Sequence, residues 1–465
     1  MNNEHDQTLD TDKPPRAVRI LMVAGGTGGH IFPALAVAEE LRARGERSGS
    51  HYEIEFLGTH RPLEAKLIPA AGFRLRAVDA AGLKGIGGIQ RLRNLLVLPR
   101  TAIEVAGILR EFQPQVVVGV GGYLAGPVML EASLVNIPTI LIEPNARPGF
   151  TNRLLAPMVR AAAVGFAEAA QLYGEKAHVT GLPVRRAFFE ILPRHHAPPV
   201  AQALLPVGAQ PGVAVPPFTV LVVGGSQGSR AINRAVVASL PLLEADVAPG
   251  FSPAPANVAP TLRSAQGGNT ATRDVGASGA GPWPNAVRPC TPDAGLKPAA
   301  TPVAALVAAP ENEGLPGGMR IIHQTGEHDY NEVRKTYQES GLPVEVHAFI
   351  EDMPGALAQA DLVISRAGAT AVAELAAAGR AALLIPFLGA TDQHQLENAR
   401  AMERAGAARV IVQSELTPER LAGEIRELRA NPATREKMEG CARRLARPDA
   451  AARIADMVEN LARRL

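Results

Sequence analysis

Three glycine clusters in this chain sit where ligands are commonly held. The first, Gly25-Gly26-Thr27-Gly28-Gly29-His30, follows a short apolar run and precedes a helical pattern carried by Phe32, Leu35, Ala36, Ala38 and Leu41. Glycines there let the backbone turn sharply and approach a bulky group. The helix behind the loop offers unsatisfied N–H groups and a positive dipole end, which suit a phosphate. The loop has no Gly-Lys-Ser/Thr, so it is not a Walker A motif, and His30 after Gly29 breaks the Gly-x-Gly-x-x-Gly dinucleotide pattern. The second cluster, Gly224-Gly225-Ser226-Gln227-Gly228, also lies between an apolar run and a helical pattern. It satisfies Gly-x-Ser-x-Gly, the nucleophile elbow of α/β-hydrolases, and Asp392 and His394 follow in the order such a triad needs. Thr27 holds the place of Ser226 in the first cluster, so the two also read as related phosphate or diphosphate loops. The third cluster, Gly119-Val120-Gly121-Gly122-Tyr123, ends another apolar run; it is either a structural turn or a wall of a cleft at the carboxyl ends of the strands.

The elements around these loops alternate. Strand-length apolar runs occur at Val18–Ala24, Ile54–Leu57, Val116–Val120 and Thr139–Ile142, with helical stretches such as Leu92–Arg110 between them. The opening then repeats: Phe218–Val223 leads into the second glycine loop, and further runs follow at Met319–His323, Val344–Ala348, Leu362–Ser365 and Ala381–Pro386. This pattern predicts an α/β chain of two tandem Rossmann-like domains, each with a parallel sheet covered on both faces. The expected division is a disordered tail at 1–16, a first domain at 17–186 and a Pro-, Ala- and His-rich linker at 187–217. A second domain at 218–445 and a C-terminal helix at 446–465 follow. Within the second domain, 246–317 is dominated by Ala, Pro and Gly; such a composition cannot offset its ordering entropy and reads as a disordered insertion. Its Trp283 and Cys290 are the features that could mark a partner contact.

Composition narrows the functional classes. At 465 residues, 46% of them hydrophobic, the chain is long enough for two or three cores. The 47 Lys and Arg nearly balance 45 Asp and Glu, which argues against a dedicated nucleic-acid binder. Two cysteines, Cys290 and Cys441, are too few for a disulfide scaffold or a multi-cysteine zinc site. No apolar run of 18 or more residues predicts a membrane span, and the polar start MNNEHDQTLDTDKPPR has no secretory signal, so an intracellular chain is expected.

The strings GGTGGH, GVGGYLAGP, IEPNARPGFTNRLL, VTGLPVR, GGSQGSRAIN, HQTGEHD, FIEDM, SRAGATAVAELAAAG and DQHQLENA occur in that order. Together they resemble the bacterial undecaprenyldiphospho-muramoylpentapeptide β-N-acetylglucosaminyltransferases of peptidoglycan synthesis, over residues 18–235 and 319–460. The resemblance implies a GT-B fold, two Rossmann-like domains facing across a cleft. It also implies inverting transfer of GlcNAc from UDP-GlcNAc to the C4 hydroxyl of MurNAc in lipid I, forming lipid II for cell-wall biogenesis, with no cofactor. The donor site it implies comprises Thr27, Gly28, Gly29, Asn145, Arg185, Ser226, Ile350, the stretch Ala369, Thr370, Ala371, Val372, Ala373 and Glu374, and Gln395. Glu374 would accept hydrogen bonds from the ribose, and main-chain groups near Ile350 would meet the uracil. Gln395 would meet the sugar hydroxyls and Arg185 the leaving diphosphate. His30, with an ordinary pKa near 6.5, is the first candidate base for the acceptor hydroxyl, a helix-cap or diphosphate-binding role being the alternative. Glu143 is the second candidate base. His323 and His347 read as structural. Several positions depart from the family pattern: Ile142 and Pro144 flank Glu143 where that pattern has His and Gln, Leu182 replaces an Asn, Ala367 a Ser and Ala371 a Thr.

Two further expectations concern metal and membrane. The only Asp-x-Asp string is Asp10-Thr11-Asp12, in the expected tail, so metal-independent transfer is expected, with helix N-termini and Arg185 meeting the leaving-group charge. Residues 83–110 mix apolar side chains with Lys84, Arg91, Arg93 and Arg100, a mixture that suits an anionic membrane interface. With a polyprenyl-linked acceptor, this predicts peripheral attachment of the first domain to the cytoplasmic face of the plasma membrane. Cell-wall synthesis or division proteins are possible partners of the insertion.

Overall fold

The computed structural model describes residues 17–463 except 26–27, 79–87, 194–216, 226–227, 245–317, 341–342, 388 and 390–392, with backbone only at 88–99 and Tyr123. The expected tail, the 246–317 insertion with Trp283 and Cys290, Thr27, Ser226 and Asp392 all lie outside the described residues.

Among the described residues the first sheet has seven parallel strands: β1 (Val18–Val23), β2 (Tyr52–Gly58), β3 (Arg74–Ala77), β4 (Val116–Gly119), β5 (Thr139–Glu143), β6 (Ala161–Val164) and β7 (Ala177–Val179). Their order is β3-β2-β1-β4-β5-β6-β7, so the chain winds outward in both directions from β1. Helices α1 (Gly28–Ser48), α2 (Pro62–Ala70), α3 (Gly88–Phe112), α4 (Gly122–Leu134), α5 (Phe150–Leu155) and α6 (Ala170–Tyr173) connect them. The second sheet repeats the plan with β8 (Phe218–Val223), β9 (Met319–Gln324), β10 (Val344–His347), β11 (Leu362–Ser365), β12 (Ala382–Leu384) and β13 (Ala408–Val410), ordered β10-β9-β8-β11-β12-β13. Its helices are α7 (Arg230–Glu244), α8 (Tyr330–Gln338), α9 (Met353–Gln359), α10 (Ala369–Ala378), α11 (His394–Arg404), α12 (Pro418–Ala430) and α13 (Pro432–Leu445). A last helix, α14 (Ala450–Ala462), returns to the first sheet.

Central strands such as Ile20–Val23 and Val116–Val118 are fully buried, because both faces of each sheet are covered and alternate side chains must all be apolar. On one face of the first sheet, Ile20, Met22 and Val118 pack with Ile31 and Leu35 of α1 and with Ile454 and Val458 of α14. On the other, Leu21, Val23 and Val117 pack with Val128 and Met129 of α4. Polar contacts hold α14 in place: Arg44 donates to Asp456 at 2.6 Å and to the Ala452 carbonyl at 2.8 Å, and the Tyr52 hydroxyl donates to Glu459 at 2.9 Å. The stretch expected as a linker from Ala187 begins as packed structure, since Phe188 and Ile191 are buried in the second domain's core beside Leu221 and Val363. Arg380 holds it there, donating to the Leu192 carbonyl at 3.0 Å.

Candidate active site

In both sheets the strand order reverses beside the first strand, between β1 and β4 and between β8 and β11, and the loops leaving those carboxyl ends share one cleft of about 2510 Å³. Of the residues expected from the sequence, Gly28, Gly29, His30, Glu143, Asn145, Arg185, Ile350, Ala369, Thr370, Ala371, Glu374 and Gln395 line it. Val372 and Ala373 do not: Val372 is buried in the second domain's core, and Ala373 packs against the first domain's, so both hold α10 in place rather than facing the cleft.

The start of α1 sets the first loop against the second domain. Pro33 lies inside this helix and has no N–H, so the carbonyl of Gly29, four residues earlier, lacks its helical donor. That carbonyl accepts the Thr370 hydroxyl from α10 at 3.3 Å, a bond between the two domains. His30 is half-buried in the first turn, with Nδ1 3.2 Å from the Gly25 carbonyl. A carbonyl can only accept, so Nδ1 carries the proton and the neutral ring's lone pair is on Nε2. Burial lowers the His30 pKa below its ordinary 6.5; the Gly25 bond opposes this, His394 adds to it, and Glu64 opposes it weakly. The ring is therefore neutral at pH 7.

Glu143 ends β5 with no exposed surface, and both carboxylate oxygens have donors. Asn145 donates to Oε1 from its backbone N at 2.9 Å and its side chain at 3.3 Å, and Asn152 donates to Oε2 at 2.7 Å. Burial raises its pKa to about 7 against these bonds. Asn152 sits against Gly121, where φ is +94° and an added Cβ would lie 3.2 Å from the Asn152 amide, so a side chain there would be strained and tightly packed. From the other side of the cleft Asn398, fully buried on α11, reaches the same loop. It donates to Asn145 Oδ1 and to the Ala367 carbonyl, both at 3.1 Å, and accepts from the Ala146 N–H at 2.9 Å. Nothing in the local sequence singles out Asn152 or Asn398; each sits inside a family-like string, but only the pairing reveals what it holds.

Arg185 lies where the two domains meet. Its guanidinium is 5.1 Å from the Phe32 ring of α1 and 4.9 Å from the Phe188 ring, and its buried Nε has no hydrogen-bond partner among the described residues. Across from it, burial raises the Glu374 pKa to about 7, with the Arg185 charge opposing. The first turn of α10 starts at Gly368, which supplies no side-chain cap. Gln395 accepts the Phe387 N–H at 3.0 Å through its Oε1, so its amide nitrogen is the end that can donate. Beyond the cleft, His323 is structural as expected: fully buried, it contacts the Tyr337 hydroxyl at 2.8 Å and Asn233 Oδ1 at 3.0 Å. His347 is an exposed residue on β10. His394 lines the cleft at the start of α11.

Family comparison agrees with this geometry. The glycosyltransferase family 28 N-terminal domain matches residues 20–164, and the family 28 C-terminal domain matches residues 275–454. The chain is 39% identical to a protein of Anaeromyxobacter sp. (strain Fw109-5) and 37% identical to one of Myxococcus xanthus (strain DK1622). Each alignment covers 96% of this chain, and 94% and 93% of the respective relative. The chain belongs to glycosyltransferase family 28. Both relatives are named UDP-N-acetylglucosamine--N-acetylmuramyl-(pentapeptide) pyrophosphoryl-undecaprenol N-acetylglucosamine transferase. The fold is shared with the crystal structure of Acinetobacter baumannii MurG, at a TM-score of 0.61 and 24% identity over 96% of this chain and 100% of that one. With transferases as its full-length relatives, the serine-hydrolase reading of Gly224–Gly228 is set aside.

One surface of this family 28 chain stands out by its apolar exposure. Leu130 and Leu134 on α4 are 40% and 72% exposed, Phe150 and Leu154 on α5 58% and 63%, and all four line the mouth of the cleft. Met158, Val135 and Ile103 extend the exposed set. An apolar patch of this kind on a globular chain marks a contact surface. The membrane expectation rested on residues 83–110. Of these, 83–87 and the side chains of 88–99 lie outside the described residues, and Arg100 and Ile103 are exposed. The α4 and α5 patch was not expected: α4 reads as apolar on every side, so no stripe singles out Leu130 and Leu134. No helix among the described residues is long and apolar enough to cross a membrane.

Proposed function

We infer that this chain transfers GlcNAc from UDP-GlcNAc to the C4 hydroxyl of MurNAc in lipid I, forming lipid II, with inversion and without a metal. The observation that carries this reading is the near-full-length identity to relatives bearing that transferase name. The cleft supplies the chemistry. Neutral His30 takes the acceptor hydroxyl proton on Nε2 as the oxygen attacks the anomeric carbon from the face opposite the leaving group. The bond from that carbon to the diphosphate oxygen breaks, and UDP departs. The charge it gains is met by Arg185, by the uncapped start of α10 and by the second glycine loop. Glu374 holds the ribose hydroxyls, the Ile350 carbonyl meets the uracil, and the Gln395 amide nitrogen donates to the sugar. Glu143, with both oxygens engaged, braces the acceptor loop through Asn145 and Asn152 rather than serving as the base.

The apolar face of α4 and α5 supports a peripheral seat on the cytoplasmic face of the plasma membrane, since it adjoins the cleft into which a polyprenyl diphosphate acceptor must be delivered. Burying a Leu or Phe side chain is worth about 1.5–3 kcal/mol. A Leu134→Asp, Leu154→Asp double variant is therefore expected to bind anionic vesicles at least about 10-fold more weakly. Turnover of a short-chain, water-soluble lipid I analogue should stay unchanged. Unaltered vesicle binding would remove this face from the account. The activity itself is checked by UDP release, expected only when UDP-GlcNAc and the lipid I analogue are both present; release without acceptor would point to a hydrolase.

A further inference from the structure

Gln324 is the last residue of β9, 2% exposed, and lies in the cleft lining. Its strand runs between β8 and β10, in register with Val223 and His347, the two residues after which the chain leaves for the second glycine loop and for Ile350. Its side-chain amide joins those two departures. Nε2 donates to the Gly225 carbonyl at 3.0 Å, and Oε1 accepts the Ile350 N–H at 2.8 Å. The orientation is fixed by chemistry, since a carbonyl only accepts and a backbone N–H only donates. Both anchored segments are conformationally particular. Gly225 has φ +90°, and a Cβ on Gly228 would lie 2.2 Å from the Thr325 carbonyl, so the glycine loop rests directly on the end of β9. Once the Ile350 N–H is committed to Gln324, the group this residue offers a nucleobase is its carbonyl. A carbonyl pairs with the N3–H of uracil and repels the unprotonated N3 of cytosine.

We propose that Gln324 is a positioning residue that sets base selectivity and diphosphate binding through opposite ends of one amide. The proposal rests on the reading of the cleft as a UDP-sugar site. Two substitutions separate its halves. Gln324→Glu keeps an acceptor for the Ile350 N–H but cannot donate to Gly225. It should weaken UDP and CDP together, by about 10-fold or more, and keep their ratio. Gln324→Met loses both bonds and should weaken CDP about as much as Gln324→Glu does and UDP by about a further 10-fold, so the UDP-over-CDP preference falls by about that further factor. In both variants the loss should fall on donor KM, with kcat at saturating UDP-GlcNAc within about 3-fold of the parent.

The test is isothermal titration of UDP and of CDP into the full-length protein and both variants, with thermal midpoints recorded for each. A parent-like UDP-to-CDP ratio in Gln324→Met overturns the proposal, as does the same loss of ratio in both variants. A parent protein that does not prefer UDP to CDP overturns the donor-site reading itself, which separates the two failures.

Discussion

His30→Ala is expected to lower kcat by about 10²–10⁴-fold, the usual share of a positioned general base, while UDP-GlcNAc affinity stays within a few-fold of the parent. The Gly25 carbonyl fixes the proton on Nδ1, and burial keeps the ring neutral at physiological pH. Because the folded His30 pKa lies below 6.5, the acid limb of kcat at saturating UDP-GlcNAc should have its midpoint below pH 6.5, where the ring protonates. In His30→Ala that acid limb should disappear. Glu143 predicts a different profile: its pKa of about 7 would put the limb near neutrality and leave it intact in the His30 variant. Pre-steady-state kinetics across pH, with donor binding measured separately, distinguishes the two. Loss of donor affinity alone would return His30 to a binding role.

Arg185→Met should cost about 10²–10³-fold in kcat, because it removes a preorganised cation from the place where the leaving diphosphate gains charge. Met keeps much of the apolar stem, so Phe32 and Phe188 retain a packing partner. Arg185→Lys should rescue little, since an ammonium does not reproduce a planar guanidinium lying between two rings. The substitution also removes the charge that opposes burial at Glu374, so the Glu374 pKa should rise further and the carboxyl be mostly protonated at neutral pH. The rise in donor KM on lowering pH should then set in at higher pH than in the parent, so that KM is already raised at neutrality. Steady-state kinetics with varied UDP-GlcNAc at several pH values is the check, and a loss confined to KM at every pH would assign Arg185 to ground-state binding only.

How much of this was legible in the sequence differs by element. Long apolar runs such as Val18–Val23 and Phe218–Val223 are strands because a doubly covered parallel sheet requires apolar residues on both faces, and their ends coincide with the glycine loops. Four strands were not foreseen. β3, Arg-Leu-Arg-Ala, is an edge strand whose arginines pair with the buried Glu55 of β2. β6 is alanine-rich, with little strand preference of its own, and β7 and β13 are three residues long. The cleft was legible where residues recur in recognisable strings, which brought His30, Glu143, Asn145, Arg185 and Glu374 to one place. Asn398 and Gln324 were not legible. Their roles lie in bonds to backbone and side chains 252 or 253 residues away for Asn398, and 26 and 99 residues away for Gln324, which no local pattern encodes. The Pro33–Gly29–Thr370 contact is similar: a proline in a helix predicts an unpaired carbonyl four residues back, but not the hydroxyl that fills it.

The central claim is transfer to lipid I by groups of the protein itself, and the most direct measurement is radiolabelled GlcNAc transfer from UDP-GlcNAc to a short-chain lipid I analogue, with and without EDTA. The account predicts labelled lipid II product at equal rates in both. Product lost with EDTA would contradict the metal-free assignment. No product from a protein that binds UDP-GlcNAc would contradict the acceptor assignment, with the loop of Glu143, Pro144 and Asn145 as the place to seek a different one.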